Sequence, residues 1–197
     1  MSYRLPMRRV LPNLVTLTRL SAVPVLGWLA YVHDARTFAW LLTACLLGDV
    51  VDGVLARALH AATPLGAQLD SVADSLLFFA AIAGALVFHQ DEVMAHRAVF
   101  IAVPLAWTLE NVAALARYGR LSSFHTYLSR TAAVAMGLFI VVLFLDGLRV
   151  WLLYAAAGLV LVATLEECAL LWMLPEWRAN VRGLYWVLRE RQQGRSR

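Results

Sequence analysis

The chain has 197 residues, of which 61% are hydrophobic and only 15% charged, with a mean hydropathy of +0.69 and a formal net charge of +4. A water-soluble domain of this size is nearer half apolar and a quarter charged, so the composition argues for a chain that lives in a bilayer. The positive charge reads mainly as a topology signal that also suits anionic headgroups, and nothing in it calls for nucleic acid.

Crossing the hydrocarbon core takes about 20 mainly apolar residues in a helix. Six segments meet that length: 12–32, 37–59, 67–89, 94–117, 123–145 and 150–173. Long apolar runs without alternation exclude a barrel, and within lipid only helices or closed barrels satisfy the backbone. The expected fold is therefore all-α, a single polytopic membrane domain over residues 1–197 with six transmembrane helices. Arg4, Arg8, Arg9, Arg57, Arg117, Arg120 and the tail arginines fall on one side of such a layout. Arg36, Arg97 and Arg149 fall on the other, among Asp34, Asp91, Glu92 and Asp146. That bias puts both termini in the cytoplasm.

Residues 1–11 mix arginines with Tyr3, Leu5, Met7 and Val10, the pattern of a short interfacial helix or of a disordered leader. Arg8 and Arg9 before an apolar stretch resemble a signal peptide. The stretch is too long for one, though, and contains Arg19 and Pro24, so it is read as a retained first span. Residues 174–197 form a basic cytoplasmic tail with Trp177, Tyr185 and Trp186, a mixture that favours the membrane interface. Cys45 and Cys168 lie in apolar helices without metal or disulfide spacing and read as small core residues.

The chemistry is concentrated between residues 49 and 74. Asp49 and Asp52 are three apart, which places them about 60° apart around a helix; Asp70 and Asp74, four apart, lie about 40° apart. Each pair shares a helix face. The connection from Ala58 to Leu65 contains Thr63-Pro64 and can turn the chain back, so that the two faces oppose each other at the ends of spans two and three. A carboxylate deep in a membrane helix costs about 3 kcal/mol on insertion scales, and four together repel. Protonation, arginines or divalent cations could relieve that repulsion. Oxygen donors suit Mg²⁺ or Mn²⁺, and paired metals suit displacement at phosphorus. Gly53, Ala56 and Gly66 permit close approach of a ligand or a neighbouring helix, and Arg57 can clamp a diphosphate or partner a carboxylate.

Written out, the segment is Asp49-x2-Asp52-Gly53-x2-Ala56-Arg57-x8-Gly66-x3-Asp70-x3-Asp74. At every defined position it resembles the signature of the CDP-alcohol phosphotransferase family. The opening of span one, Pro12-Asn13-Leu14-Val15-Thr16-Leu17-Thr18-Arg19, is similar to that of bacterial members, notably those of phosphatidylglycerophosphate synthase type. The resemblance implies an integral enzyme of the bacterial inner membrane, a homodimer with its active site on the cytoplasmic side. It implies a two-metal site of Mg²⁺ or Mn²⁺ held by Asp49, Asp52 and Asp70, with Asp74 as general base that also touches a metal. Gly53, Ala56, Arg57 and Gly66 would bind the CDP moiety, with Thr63 and Asn13 as further candidates. The implied reaction is attack of an acceptor hydroxyl on the lipid-side phosphorus of CDP-diacylglycerol, with CMP leaving. Arg19 beside this region reads either as part of the site or as a snorkelling arginine.

The acceptor is less clearly written. Arg117, Arg120, His125 and Arg130 cluster at the junction of spans four and five, with Arg130 expected about two turns into span five and facing the interior. Such a group could hold an acceptor phosphate, as in glycerol 3-phosphate, or be an ordinary positive-inside loop. The pair Asp70-Ser71 departs from the Asp-Pro frequent in phosphatidylglycerophosphate synthases, which leaves serine, inositol phosphate or a lipid as alternative acceptors. Glu110 is expected to pair with an arginine such as Arg130 or to line the acceptor cavity, and Glu166 and Glu167 to lie at a solvated helix end. An ion transporter would spread acidic residues through the membrane depth, often in repeated halves, and neither is evident here. A silent scaffold of the same fold would not need the full motif.

Overall fold

The computed structural model describes residues 7–59, 64–120, 122, 124, 126–176 and 181–195; within the helices, the side chains of 7–16, 49–59, 64–71 and 190–195 fall outside the description. All regular structure among the described residues is helical. In chain order the helices are α1 (Met7–Tyr31), α2 (Ala35–Leu59), α3 (Pro64–Phe88), α4 (Gln90–Ala95), α5 (Arg97–Tyr118), α6 (Tyr127–Asp146), α7 (Val150–Met173) and α8 (Leu184–Arg195). They form two compact units: Met1–Ala95 with Phe144–Gly147, and His96–Leu143 with Leu148–Arg197.

In the first unit α1 packs against both α2 and α3. Its core is Leu26, Phe38, Leu42, Leu77, Ala81 and Ala85. The α1–α2 turn is tight. His33 takes a left-handed conformation at φ 58°, and the Asp34 N–H returns to the Leu29 carbonyl at 3.0 Å. Asp34 then caps α2, its Oδ1 accepting from the Thr37 N–H at 3.1 Å and satisfying one of the orphan donors of the first turn. At the far end of α3, Gly84 leaves room for the Phe38 ring, which also meets Phe88 and Phe144 at centroid distances of 5.2 and 5.1 Å. The start of α2 thus lies beside the end of α3, and the two helices run antiparallel.

In the second unit α5 packs on α7. Among the described residues three helices, α5, α6 and α7, are long and apolar enough to cross a membrane. The apolar stretches Ala35–Gly48 of α2 and Val72–Phe88 of α3 are shorter among the described residues. The spans expose large apolar side chains, including Val134, Leu165, Trp151 and Ile101. Surfaces of that kind need lipid rather than water. The chain is a membrane protein.

The helix ends differ from the sequence expectation where capping decides them. Residues 7–11 are the opening turns of α1 rather than a separate leader element. The expected fourth span divides at His96 into the short α4 and α5. The expected fifth span begins at Tyr127 rather than 123 because Thr126 stops it: its Oγ1 accepts from the Ser129 N–H at 3.1 Å. Gly119, at φ 67°, ends α5 by donating its N–H to the Leu115 carbonyl at 2.8 Å.

Two consequences are measurable. A Cβ at Gly84 would overlap the Phe38 ring, which is 1% exposed and held by Phe88 and Phe144, so it has nowhere to swing. Gly84→Ala is therefore expected to cost about 1–3 kcal/mol in detergent unfolding. The Asp34 carboxyl is held below its ordinary value by hydrogen bonding from Thr37, hydroxyl and amide. Its folded pKa is depressed, so its contribution is present above the unfolded value and lost as pH falls through the folded one. Asp34→Ala is expected to lower the thermal midpoint at pH 7, and the difference from the parent is expected to vanish in strong acid.

Candidate active site

The signature sits on the antiparallel pair α2–α3. Asp49 and Asp52 lie in the last part of α2, and Asp70 and Asp74 in the first part of α3. They are at the end of the pair opposite to the Phe38–Phe88 contact. Helix on both sides of the connection gives the three- and four-residue spacings the geometry on which shared faces depend. Pro64 opens α3 at a position where its missing N–H costs nothing. Thr63 itself lies outside the described residues, as do the side chains of Asn13, Asp49, Asp52, Gly53, Ala56, Arg57, Gly66 and Asp70.

Asp74 is described, and it is held. Arg19 of α1, only 4% exposed, donates through Nη2 to Asp74 Oδ1. The Asp74 side chain is 47% exposed, so the carboxylate meets the buried guanidinium while staying accessible. Cys45 of α2, one turn before Asp49, is buried within electrostatic reach of the same guanidinium. Arg19 is thus inserted where α1, α2 and α3 meet, at the level of the signature. That location excludes the snorkelling reading, because a snorkelling arginine carries its charged head to water.

No group of three or more metal-ligating side chains occurs among the described residues, and of the four aspartates only the Asp74 side chain belongs to that set. The donor set fits a hard divalent cation in its chemistry: four carboxylates and no thiolate or imidazole among them.

The arginines assigned to the acceptor are placed differently from one another. Arg117, at the end of α5, donates from Nη2 to the Leu174 carbonyl at 3.2 Å, beside Tyr118, whose hydroxyl reaches the Leu171 and Leu174 carbonyls at 3.2 and 2.7 Å. Both side chains satisfy carbonyls that the end of α7 leaves open. Arg120 is exposed just after the Gly119 cap. Arg130 is also exposed and lies in the first turn of α6, not two turns inside a span, because the Thr126 cap moves the helix start. His125 lies outside the described residues.

The remaining acids depart from expectation. Glu110 is 2% exposed, and its neighbours are Asn111, Ser122 and Glu167 rather than an arginine. Glu166 and Glu167 are not at a solvated end, since both are partly buried. Glu167 lies beside Ser129, and Glu166 Oε1 accepts the Leu184 N–H of α8 at 3.0 Å. The chain after α7 returns to pack on that end, with Val181 N–H bonded to the Phe124 carbonyl at 2.7 Å. No local pattern could have shown this, since the partner of Glu166 is 18 residues further on.

Residues 9–162 match the family model for CDP-alcohol phosphatidyltransferase. Among curated proteins, a CDP-diacylglycerol–glycerol-3-phosphate 3-phosphatidyltransferase of Pseudomonas fluorescens is 34% identical over 99 residues, covering 49% of this chain and 47% of the relative. A protein of the same description from Rickettsia bellii is 37% identical over 70 residues, 34% of this chain and 39% of the relative. A cardiolipin synthase (CMP-forming) of Oryza sativa subsp. japonica is 35% identical over 80 residues, 39% of this chain and 24% of the relative. The matched region thus spans less than half the length of each of these relatives. No solved structure matches the chain. With the family model covering most of the chain and the full signature seated on α2 and α3, the chain belongs to the CDP-alcohol phosphatidyltransferase family.

Proposed function

We propose that the chain transfers a phosphatidyl group from CDP-diacylglycerol to a hydroxyl of a small polar acceptor, glycerol 3-phosphate, with release of CMP. The observation that carries this reading is the signature on α2–α3 whose last aspartate, Asp74, is held by buried Arg19 while its side chain stays about half exposed. The relatives named for glycerol 3-phosphate favour that acceptor. The relative named as a cardiolipin synthase supports a second reading, in which the acceptor is a lipid hydroxyl.

In the proposed reaction the acceptor hydroxyl gives its proton to Asp74. Its oxygen forms a bond to the lipid-side phosphorus, and the bond from that phosphorus to the CMP oxygen breaks. Arg19 keeps the Asp74 carboxylate turned toward the acceptor, and Arg57 carries charge for the departing CMP. Asp49, Asp52 and Asp70 would hold two Mg²⁺ or Mn²⁺ ions, with Asp74 at their edge. Bound there, the metals would supply charge neutralisation at the diphosphate. Gly53, Ala56, Gly66, Thr63 and Asn13 would form the CDP pocket, and Arg117, Arg120, His125 and Arg130 the acceptor's anionic subsite. Positioning and electrostatics account for most of the rate in such transfers. The finer architecture belongs to the same proposal: one six-span domain with cytoplasmic termini, a cytoplasmic-side site in the bacterial inner membrane, and a homodimer.

The test is CMP release by the purified chain in nanodiscs with CDP-diacylglycerol and Mg²⁺ or Mn²⁺. Glycerol 3-phosphate, serine, inositol phosphate and phosphatidylglycerol are supplied one at a time. Release with glycerol 3-phosphate alone is expected; release with phosphatidylglycerol alone selects the second reading, and none with any acceptor rejects both. Asp74→Asn is expected to lower the rate by about 10²–10⁴, the range typical of a lost general base. Arg19→Gln is expected to lower it by about 10–100-fold, as for other groups that orient a ligand or base from behind. Unaltered activity in Arg19→Gln would remove Arg19 from the site.

A further inference from the structure

The C-terminal segment is built into the second unit, and its outward face has a composition that none of the chemistry above uses. Residues 181–182 pair with the α5–α6 connection: Val181 N–H donates to the Phe124 carbonyl at 2.7 Å, and Tyr127 N–H to the Arg182 carbonyl at 3.3 Å. Gly183 then turns the chain at φ 148°, where a Cβ would meet Glu166 Oε1 at 2.9 Å. That same oxygen accepts the Leu184 N–H, so a carboxylate from α7 caps the first turn of α8. Val187 and Leu184 pack into a cluster with Phe124, Leu170, Leu171 and Leu174 at the end of α7.

This seating fixes what α8 turns outward. Tyr185, Trp186 and Leu188 are exposed, and Trp186 meets Tyr185 edge-on and Tyr127 at a tilt, at centroid distances of 5.5 and 5.6 Å. Trp172, on the last turn of the membrane-spanning α7, is 84% exposed. Arg182 and Arg189 are exposed on the same segment, and the sequence adds Arg178, Arg191, Arg195 and Arg197 against only Glu176 and Glu190. Indole and phenol rings at the end of a spanning helix sit at headgroup level, and arginines among them attract anionic lipid.

We propose that α8 is a membrane-surface element that binds anionic phospholipid headgroups of the bilayer crossed by α7, and that Glu166 is the residue that holds it in position. The occupant follows from two features: the face is basic and aromatic together, and α8 packs against the end of a helix long and apolar enough to span a membrane. The proposal does not depend on the acceptor or on the transfer reaction.

The experiment is hydrogen–deuterium exchange of the full chain in nanodiscs of phosphatidylcholine alone and of phosphatidylcholine with 30% phosphatidylglycerol. The expected result is slower exchange over residues 181–195 in the anionic bilayer, with α5 and α7 unchanged. In Arg182→Gln/Arg189→Gln that difference is expected to shrink on the order of tenfold, the effect of removing two arginines from an anionic surface. Glu166→Ala is expected to speed exchange over the same segment in both bilayers, whereas Glu166→Gln, which keeps an acceptor, retains the parent's protection. Equal exchange in the two bilayers would overturn the lipid assignment. Protection that rises with two chains per nanodisc and ignores lipid charge would assign the face to a second copy instead.

Discussion

A charge carried into an apolar helix bundle is costly unless a partner inside the protein meets it, and that constraint organises the first unit of this chain. In the first unit Arg19 of α1 is buried and bonded to Asp74 of α3. Separating such a pair would leave a charge in a medium where its desolvation is severe. The contact therefore pins α1 against α3 at the level of the signature, while Phe38 in the notch at Gly84 sets the other end of the α2–α3 pair. In the second unit polar side chains close helix ends by hydrogen bonds to the backbone. Arg117 and Tyr118 take up carbonyls at the end of α7, and Glu166 takes up an amide at the start of α8.

The chemistry proposed for the signature grows out of that arrangement. A general base must be both oriented and accessible, and Asp74 is both: one oxygen faces a guanidinium that cannot leave for water, and nearly half of the side chain is open. An arginine in this role orients the carboxylate without competing for protons, since it remains charged at every working pH. The other three aspartates, Asp49 and Asp52 on α2 and Asp70 on α3, are hard donors in the chemistry proposed for them. In the second unit Arg120 and Arg130 are exposed at helix ends.

How much of this was legible in the sequence depends on how local the determinant is. The helical character of the chain and the paired spacing of the four aspartates are set by contiguous residues, and the observed α2 and α3 carry them as expected. Boundaries set by single caps were not legible. Thr126 moves the start of α6, and with it Arg130 changes from an expected interior residue to an exposed one. Arg19 was half legible: its place near the site could be read from the opening of the first span, but burial had to be seen before snorkelling could be rejected. The role of Glu166 was not legible, because its partner amide arrives only after the chain has left α7, turned and paired residues 181–182 with the α5–α6 connection.

The most direct test of the central claim, direct displacement at the phosphatidyl phosphorus with Asp74 as base, is a rapid-mixing measurement with enzyme in excess over CDP-diacylglycerol. Without acceptor the account predicts no release of CMP, because the chain forms no covalent phosphatidyl intermediate; adding acceptor should start release at once. A burst of CMP stoichiometric with the donor in the absence of acceptor would contradict it, because it would require a nucleophile from the chain itself.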